Sequence, residues 1–189
     1  MKKFHYYKLY KPYGYLSQFS GEKEDLLLGQ LYNFPKDVYS IGRLDKDSEG
    51  LLILTNDNSI KTKLLLPSSN KWKTYWVQVD GEITEKAIEK LKSGTIYIKH
   101  KGKDHRVTSA ECKRIAPPNI EERTPPIRVR KNIPTSWIEL KITEGKNRQV
   151  RKMTAAVGFP TLRLIRYSFD KHSLKDMNIG EVVRLDSLD

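Results

Sequence analysis

Asp45, at the end of Gly42-Arg43-Leu44-Asp45, is the side chain best placed for chemistry in this sequence. It opens an acidic loop, Asp45-Lys46-Asp47-Ser48-Glu49, between two apolar runs. Tyr39 to Leu44 and Leu51 to Thr55 both read as short buried strands, which predicts a loop held on two rigid elements. A carboxylate fixed where a strand ends can react with a substrate or accept hydrogen bonds, and spacing alone leaves both roles open. A second concentration of reactive types lies at Glu144-Gly145-Lys146-Asn147-Arg148-Gln149-Val150-Arg151-Lys152-Met153. Val150, Met153 and Val157 recur at helical spacing and Gly158 supplies a stop, so Lys146, Arg148, Arg151 and Lys152 fall at the beginning of a helix. Cations there oppose the helix macrodipole by about 0.3 to 1 kcal/mol each. A phosphate or a buried carboxylate would compensate them.

Other chemistries are disfavoured by residue type and spacing. Cys112 is the only cysteine, which excludes an intrachain disulfide and a multi-cysteine zinc site and fits a reducing cytoplasm. Its surroundings alternate, with Thr108, Ala110 and Cys112 set against Val107, Ser109 and Glu111, and read as a strand with a half-buried, unreactive thiol. His5, His100, His105 and His172 are scattered without metal-ligand spacing and are expected on the surface or facing a nucleic acid. Neither a P-loop nor a dinucleotide fingerprint occurs, which argues against ATP- or NAD-driven chemistry.

The elements that must position these residues follow from patterning. Tyr6 to Lys11 reads as a strand running into a Lys11-Pro12-Tyr13-Gly14 turn. The stretch from Ser20 to Pro35, with Leu26, Leu27, Leu28 and Leu31, suits a short helix or a lid-like connection. Asn56-Asp57-Asn58 caps a helix through Leu66, closed by Pro67. Lys71 to Gly81 is a strand with Tyr75, Val77 and Val79 on one face and Thr74, Trp76 and Gln78 on the other. Thr84 caps a helix from Glu85 to Lys92 that Gly94 ends, with Ala87, Ile88 and Leu91 as its inner stripe. Strands follow at Thr95 to Lys99, Arg106 to Ile115, Thr135 to Thr143, Leu162 to Phe169 and Glu181 to Leu185. Ala116 to Pro134 is proline-rich and carries Arg123, Arg128, Arg130 and Lys131, and reads either as a solvated connector or as an extended arm that tracks phosphates. Many strands with few helices place the chain in the α+β class with a largely antiparallel mixed sheet.

The 189 residues carry 35 Lys and Arg against 23 Asp and Glu, a formal charge of +12. That balance points to a polyanionic partner, nucleic acid first. No membrane association is expected. The N-terminus has neither a signal-type apolar core nor a lipidation signal, and the longest aliphatic runs, Leu51 to Leu54 and Leu64 to Leu66, are far shorter than the ~20 residues of a membrane span.

Gly42-Arg43-Leu44-Asp45 with Gly50-Leu51-Leu52, Lys73-Thr74-Tyr75-Trp76-Val77, the Glu144 to Met153 run and Lys11-Pro12-x-Gly14 together resemble the RsuA group of ribosomal RNA pseudouridine synthases with its large-subunit relatives. The likeness runs through almost the whole chain in the family's order. Pro125 to Lys131, Ile133 to Trp137 and Ala155 to Leu162 are most similar to the large-subunit synthase E branch. The first motif begins almost at once, so the expectation is one catalytic domain over residues 1–189 without the small S4-like RNA-binding domain that often precedes it.

The resemblance implies two lobes flanking an active-site cleft, and isomerisation of a flipped-out uridine in ribosomal RNA, of the large subunit, to pseudouridine. It implies no cofactor and no metal, and a cytoplasmic monomer is expected. It makes Asp45 the essential carboxylate, acting on the ribose as nucleophile or as the base that deprotonates C2′. Tyr75 corresponds to the tyrosine that stacks on the uracil, and Arg151 to the arginine paired with the carboxylate. Val150 is expected under the base, and Arg43, Lys146, Asn147 and Arg148 against the RNA. The alternative is a non-catalytic RNA-binding or ribosome-assembly protein on the same fold, in which Asp45 is dispensable.

Overall fold

The structure, a computed structural model, describes residues 3–66, 70–128, 130 and 132–188. The chain divides into two compact units, Met1–Lys71 with Lys171–Asp189, and Trp72–Asp170.

In the first unit, strand β1 (Tyr6–Lys11) lies between β10 (Val182–Leu185) and β3 (Glu49–Thr55), antiparallel to both. The short β2 (Tyr39–Ile41) pairs with β3 as well, placing Tyr39 opposite Thr55. All seven residues of β3 are buried, which explains why Leu51 to Leu54 show no alternation in sequence: the strand has no solvent face. Leu52 and Leu54 join Tyr7, Leu9, Leu28, Phe34 and Val38 in one apolar cluster. Helix α1 (Asn58–Leu65) follows, capped by Asp57, whose Oδ1 accepts the Ser59 and Ile60 amides. Pro67, expected to close it, lies outside the described residues. The leucine-rich stretch after Ser20 forms only a 3-10 turn at Leu28–Gln30.

The second unit orders its main strands β9 (Thr161–Phe169), β4 (Lys73–Asp80), β8 (Thr135–Ile142) and β7 (Glu111–Ile115), every neighbour antiparallel. Helix α2 (Glu85–Lys92) is capped by the Thr84 hydroxyl, which accepts the Ala87 amide. Helix α3 spans Gln149–Ala156. Ala87, Ile88 and Leu91 of α2, Val150 and Met153 of α3, and Tyr75, Val77 and Val79 of β4 share one buried cluster. Cys112 sits in it, 8% exposed, and burial pushes its thiol up to about 12. The inert reading of this residue therefore holds.

Two expectations change. The strand expected through Leu44 stops at Ile41, because Gly42 adopts φ +70° and the Leu44 amide bonds a side chain instead of a strand. The strand expected at Thr95 to Lys99 is present as β5 (Tyr97–His100) but pairs in a separate hairpin with an unexpected β6 (Lys103–Arg106), and the strand expected at Arg106 to Ile115 is confined to β7. A two-residue turn, Lys101-Gly102, closes this hairpin, and its lysine hid the turn signal that Asn-Gly would have supplied. The proline-rich arm, finally, has its own braces. Arg123 donates to the Pro125 and Pro126 carbonyls, Arg130 pairs with Asp80, and the buried Arg163 of β9 holds the Glu121 carbonyl at 3.0 Å. Lys131 of that arm lies outside the described residues.

Candidate active site

In the first unit the loop from Gly42 to Ser48 is pinned from several directions. The buried Ser17 hydroxyl grips both backbone groups of Leu44, accepting its amide at 2.9 Å and donating to its carbonyl at 2.8 Å. The Ser48 amide turns back to the Asp45 carbonyl at 3.0 Å. From the Lys11-Pro12-Tyr13-Gly14 turn, the Gly14 amide reaches the Lys46 carbonyl at 2.8 Å, in a conformation (φ +85°) that favours glycine. Lys46 itself pairs with Asp25 at 3.0 Å. Asp45 is thus a half-buried carboxylate on a backbone with little freedom to move, while Arg43 is exposed. Such fixing serves a reacting group, because the alignment cost is met during folding.

Beneath this loop lies Lys11, whose motif carries the family likeness but assigns it no role. Its side chain is fully buried, and its Nζ donates to the Pro12 and Tyr15 carbonyls at 2.8 and 2.7 Å. Burial lowers its pKa to about 8, and attraction to Glu49, Asp47 and Asp45, in that order, works against the lowering. The acidic loop therefore carries a built-in cation at its base, which satisfies the carbonyls of the adjoining turn and attracts the loop's carboxylates.

In the second unit Tyr75, 9% exposed, is held by an arginine that no sequence motif singled out. Register shifts in the β4–β9 ladder set Tyr75 opposite Arg166 while Thr74 faces Ser168, so Tyr167 is skipped. This irregularity directs the Arg166 guanidinium at Tyr75, with which it hydrogen-bonds. Burial pushes the Arg166 pKa down and Tyr75 opposes that shift. Arg166 also lies over the Phe169 ring at 5.7 Å, with the Lys73 Nζ 5.4 Å from the same ring. Lys73 donates to the Thr143 carbonyl at 2.8 Å, and burial, followed by repulsion from Arg166, lowers its pKa to about 8. The only trace of Arg166 in the sequence is a charged residue inside the apolar strand Leu162 to Phe169.

Val150 is buried in the same cluster as Tyr75, and Arg151 is half-buried in the first turn of α3. Lys146, Asn147 and Arg148 form the approach to that helix, with Asn147 and Arg148 exposed. Arg148 takes a left-handed conformation (φ 51°) as the residue that starts α3. Glu144 ties this approach down. Its carboxylate accepts the Gln149 side-chain amide at 2.7 Å and the Thr108 backbone amide at 3.1 Å, and bonds the His105 ring at 2.9 Å. Gln149 in turn accepts the Lys146 amide at 3.0 Å. Burial alone would raise the Glu144 pKa, but Thr108, His105 and Gln149 outweigh it and hold the carboxyl below its ordinary value. Of the two anions offered above to balance the cations of this helix, a carboxylate is present, half-buried and occupied by His105 and amides. His105, expected on the surface or facing a nucleic acid, is half-buried and also serves as a structural partner of Glu144.

The structure thus places Asp45 and Arg43 on the first unit, and Tyr75, Lys146, Asn147, Arg148, Val150 and Arg151 on the second. Among the described residues no group of three or more histidine, cysteine, aspartate or glutamate side chains could hold a metal ion. The family model described as RNA pseudouridylate synthase matches residues 5–156. The chain belongs to that family.

Several pseudouridine synthases similar to it carry specific names. The ribosomal large subunit pseudouridine synthase E of Vibrio parahaemolyticus is 50% identical over 171 residues, covering 90% of this chain and 69% of that protein. The protein of the same name from Xanthomonas axonopodis pv. citri is 47% identical over 161 residues, 84% of this chain and 82% of that one. A crystal structure of a pseudouridylate synthase superposes with a TM-score of 0.76 over 98% of this chain and 71% of its own, at 23% identity, a likeness of fold. As a pseudouridine synthase the chain is an isomerase: the N1–C1′ bond of a uridine breaks, the uracil turns, C5 bonds C1′, the C5 proton is lost and N1 gains one. No oxidant or reductant enters that balance.

Proposed function

We propose that this synthase converts one uridine of large-subunit ribosomal RNA to pseudouridine, in the cytoplasm and as a monomer, and that residues 1–189 constitute its catalytic domain. The observation that carries this reading is the 50% identity over 90% of the chain with a protein named for that activity. Asp45 acts at the ribose, either attacking C1′ or removing the C2′ proton, and an ionised carboxylate serves both routes. Three features support that role: the double grip of Ser17 on Leu44, the Asp45–Ser48 turn and the buried Lys11 ammonium. Tyr75, oriented by Arg166, supports the uracil ring over the Val150 side, and Arg151 assists the carboxylate. Arg43, Lys146, Asn147 and Arg148 hold the RNA backbone around the nucleotide. The base leaves its stack to reach these groups, as it must for any enzyme acting on a glycosidic bond inside folded RNA. The +12 charge supports capture of a polyanion by this chain itself, and no helix among the described residues is long and apolar enough to cross a membrane.

The test is Asp45→Asn, which keeps shape and removes charge. Pseudouridine formation on large-subunit ribosomal RNA is expected to fall by roughly a thousandfold or more while RNA affinity stays within a factor of a few. Activity close to wild type would overturn the assignment. Mapping pseudouridines in cells with and without the protein identifies the target; a map with no lost large-subunit site would overturn the substrate.

A further inference from the structure

The β5–β6 hairpin carries none of the residues assigned above, yet its composition has no structural explanation. Its register pairs Tyr97 with Arg106, Ile98 with His105, Lys99 with Asp104 and His100 with Lys103, leaving Lys101-Gly102 as the turn. Both turn residues have positive φ, +50° and +77°. That geometry favours asparagine or aspartate at the first position, because a short polar side chain tolerates the left-handed region and a long one gains nothing there. Lysine at this point is a locally poor choice that presents an ammonium at the hairpin tip. Lys103 follows it, equally exposed.

The hairpin is fastened to the segment that precedes and begins α3. His105 bonds Glu144 at 2.9 Å, and the Lys152 Nζ donates to the Lys99 carbonyl at 2.7 Å. Lys146, Lys101, His105 and Lys152 all act on His100, and after burial they lower its pKa further, so these positive groups gather about one ring. The carboxylates at hand are already committed. Asp104 pairs with Lys99 at 2.9 Å, and Glu144 is held by His105, Thr108 and Gln149. Among the described residues Lys101, Lys103 and Lys146 enter no ion pair. The result is a rim of uncompensated ammonium groups on a rigid support. A lysine ammonium is a point charge without the planar fork that reads base edges, so the chemistry it suits is the phosphodiester.

We propose that the tip of the β5–β6 hairpin, Lys101 and Lys103, forms with Lys146 and Lys152 an RNA-backbone binding rim, extending the RNA contact beyond the nucleotide that reacts. The proposal rests on the reading of the chain as an enzyme of RNA. Its ligand class is the sugar–phosphate backbone, recognised by charge and position and not by sequence.

The experiment uses the full chain with Lys101→Asn and Lys103→Gln combined, since asparagine suits the left-handed turn and neither change buries anything. Fluorescence anisotropy with a labelled poly-uridine oligonucleotide and with transcribed large-subunit ribosomal RNA, over a salt series, reads the affinity. Loss of two phosphate contacts is expected to weaken binding about five- to tenfold at moderate salt and to flatten the slope of log affinity against log salt by about 1.4 to 1.8. Lys36→Gln with Lys175→Gln removes the same charge from two exposed lysines of the first unit and is expected to leave affinity within about twofold. An unchanged affinity or slope in the hairpin variant, or an equal loss in the control pair, would overturn the proposal. Binding is read whether or not the RNA is modified. A wild-type protein that binds through the hairpin but forms no pseudouridine would therefore sink the functional reading alone.

Discussion

Lys11 shows how one side chain joins the stability of this synthase to the geometry of its proposed site. Water would stabilise a lysine ammonium far better than the interior does. Its pKa accordingly falls from the ordinary 10.5 to about 8, a difference worth at most about 3 kcal/mol. Because the folded value is the lower one, the unfolded chain binds more protons between about pH 8 and 10.5, and stability rises with pH through that window. Lys73, lowered to about 8 by burial and by Arg166, contributes with the same sign. Urea unfolding of wild type is therefore expected to give a higher midpoint at pH 9.5 than at pH 7.5. In Lys11→Met this gain should shrink by the Lys11 share, roughly 1 to 3 kcal/mol. An identical rise in wild type and variant would show that Lys11 is not desolvated. The signal for Lys11 lay in its motif with Pro12 and Gly14, but nothing in a linear sequence says that a lysine at the end of a strand points inward.

At the scale of elements, the approach to α3 depends on Glu144. Removing its carboxylate in Glu144→Ala leaves the Thr108 amide and the Gln149 side chain without that acceptor, and frees the His105 ring from the segment before α3. The Thr108 amide is open to water, but the buried Gln149 side chain deprived of its partner costs about 1 to 3 kcal/mol, so a loss of about 2 kcal/mol in urea unfolding is expected. Glu144→Gln, which keeps an acceptor, should lose less. A variant as stable as wild type would show that the approach to α3 is held by other contacts. The helices themselves were legible because capping and periodicity are local: Asp57 and Thr84 announce α1 and α2, and Val150 and Met153 announce the inner face of α3. The β5–β6 hairpin was not legible. Its turn carries lysine where turn chemistry favours asparagine, and Ile98 is the one buried residue of its two strands, too little to show as alternation. Leu44 was misread as strand for a related reason: its burial is real, at 8% exposed, but the Ser17 hydroxyl and not a neighbouring strand satisfies its backbone.

For the whole molecule the decisive property is charge. With a formal +12, RNA affinity is expected to fall steeply as salt rises, with log affinity linear in log salt and a slope near −0.7 to −0.9 for each phosphate neutralised. A flat response in the same anisotropy titration would mean that this charge is not used for phosphates. The sequence by itself determined the α+β class, most element positions, the charge and the family, because periodicity, caps, composition and four ordered motifs are properties of short segments. It also singled out Asp45 and Tyr75 as candidate residues. The tertiary structure decided what surrounds them: Arg166 turned onto Tyr75 by irregularities in a ladder, Lys11 sealed under the acidic loop, and His105 claimed by Glu144. Those contacts join residues far apart in the chain, or depend on which way a side chain leaves its strand, and such pairings arise from packing and register and not from any local pattern.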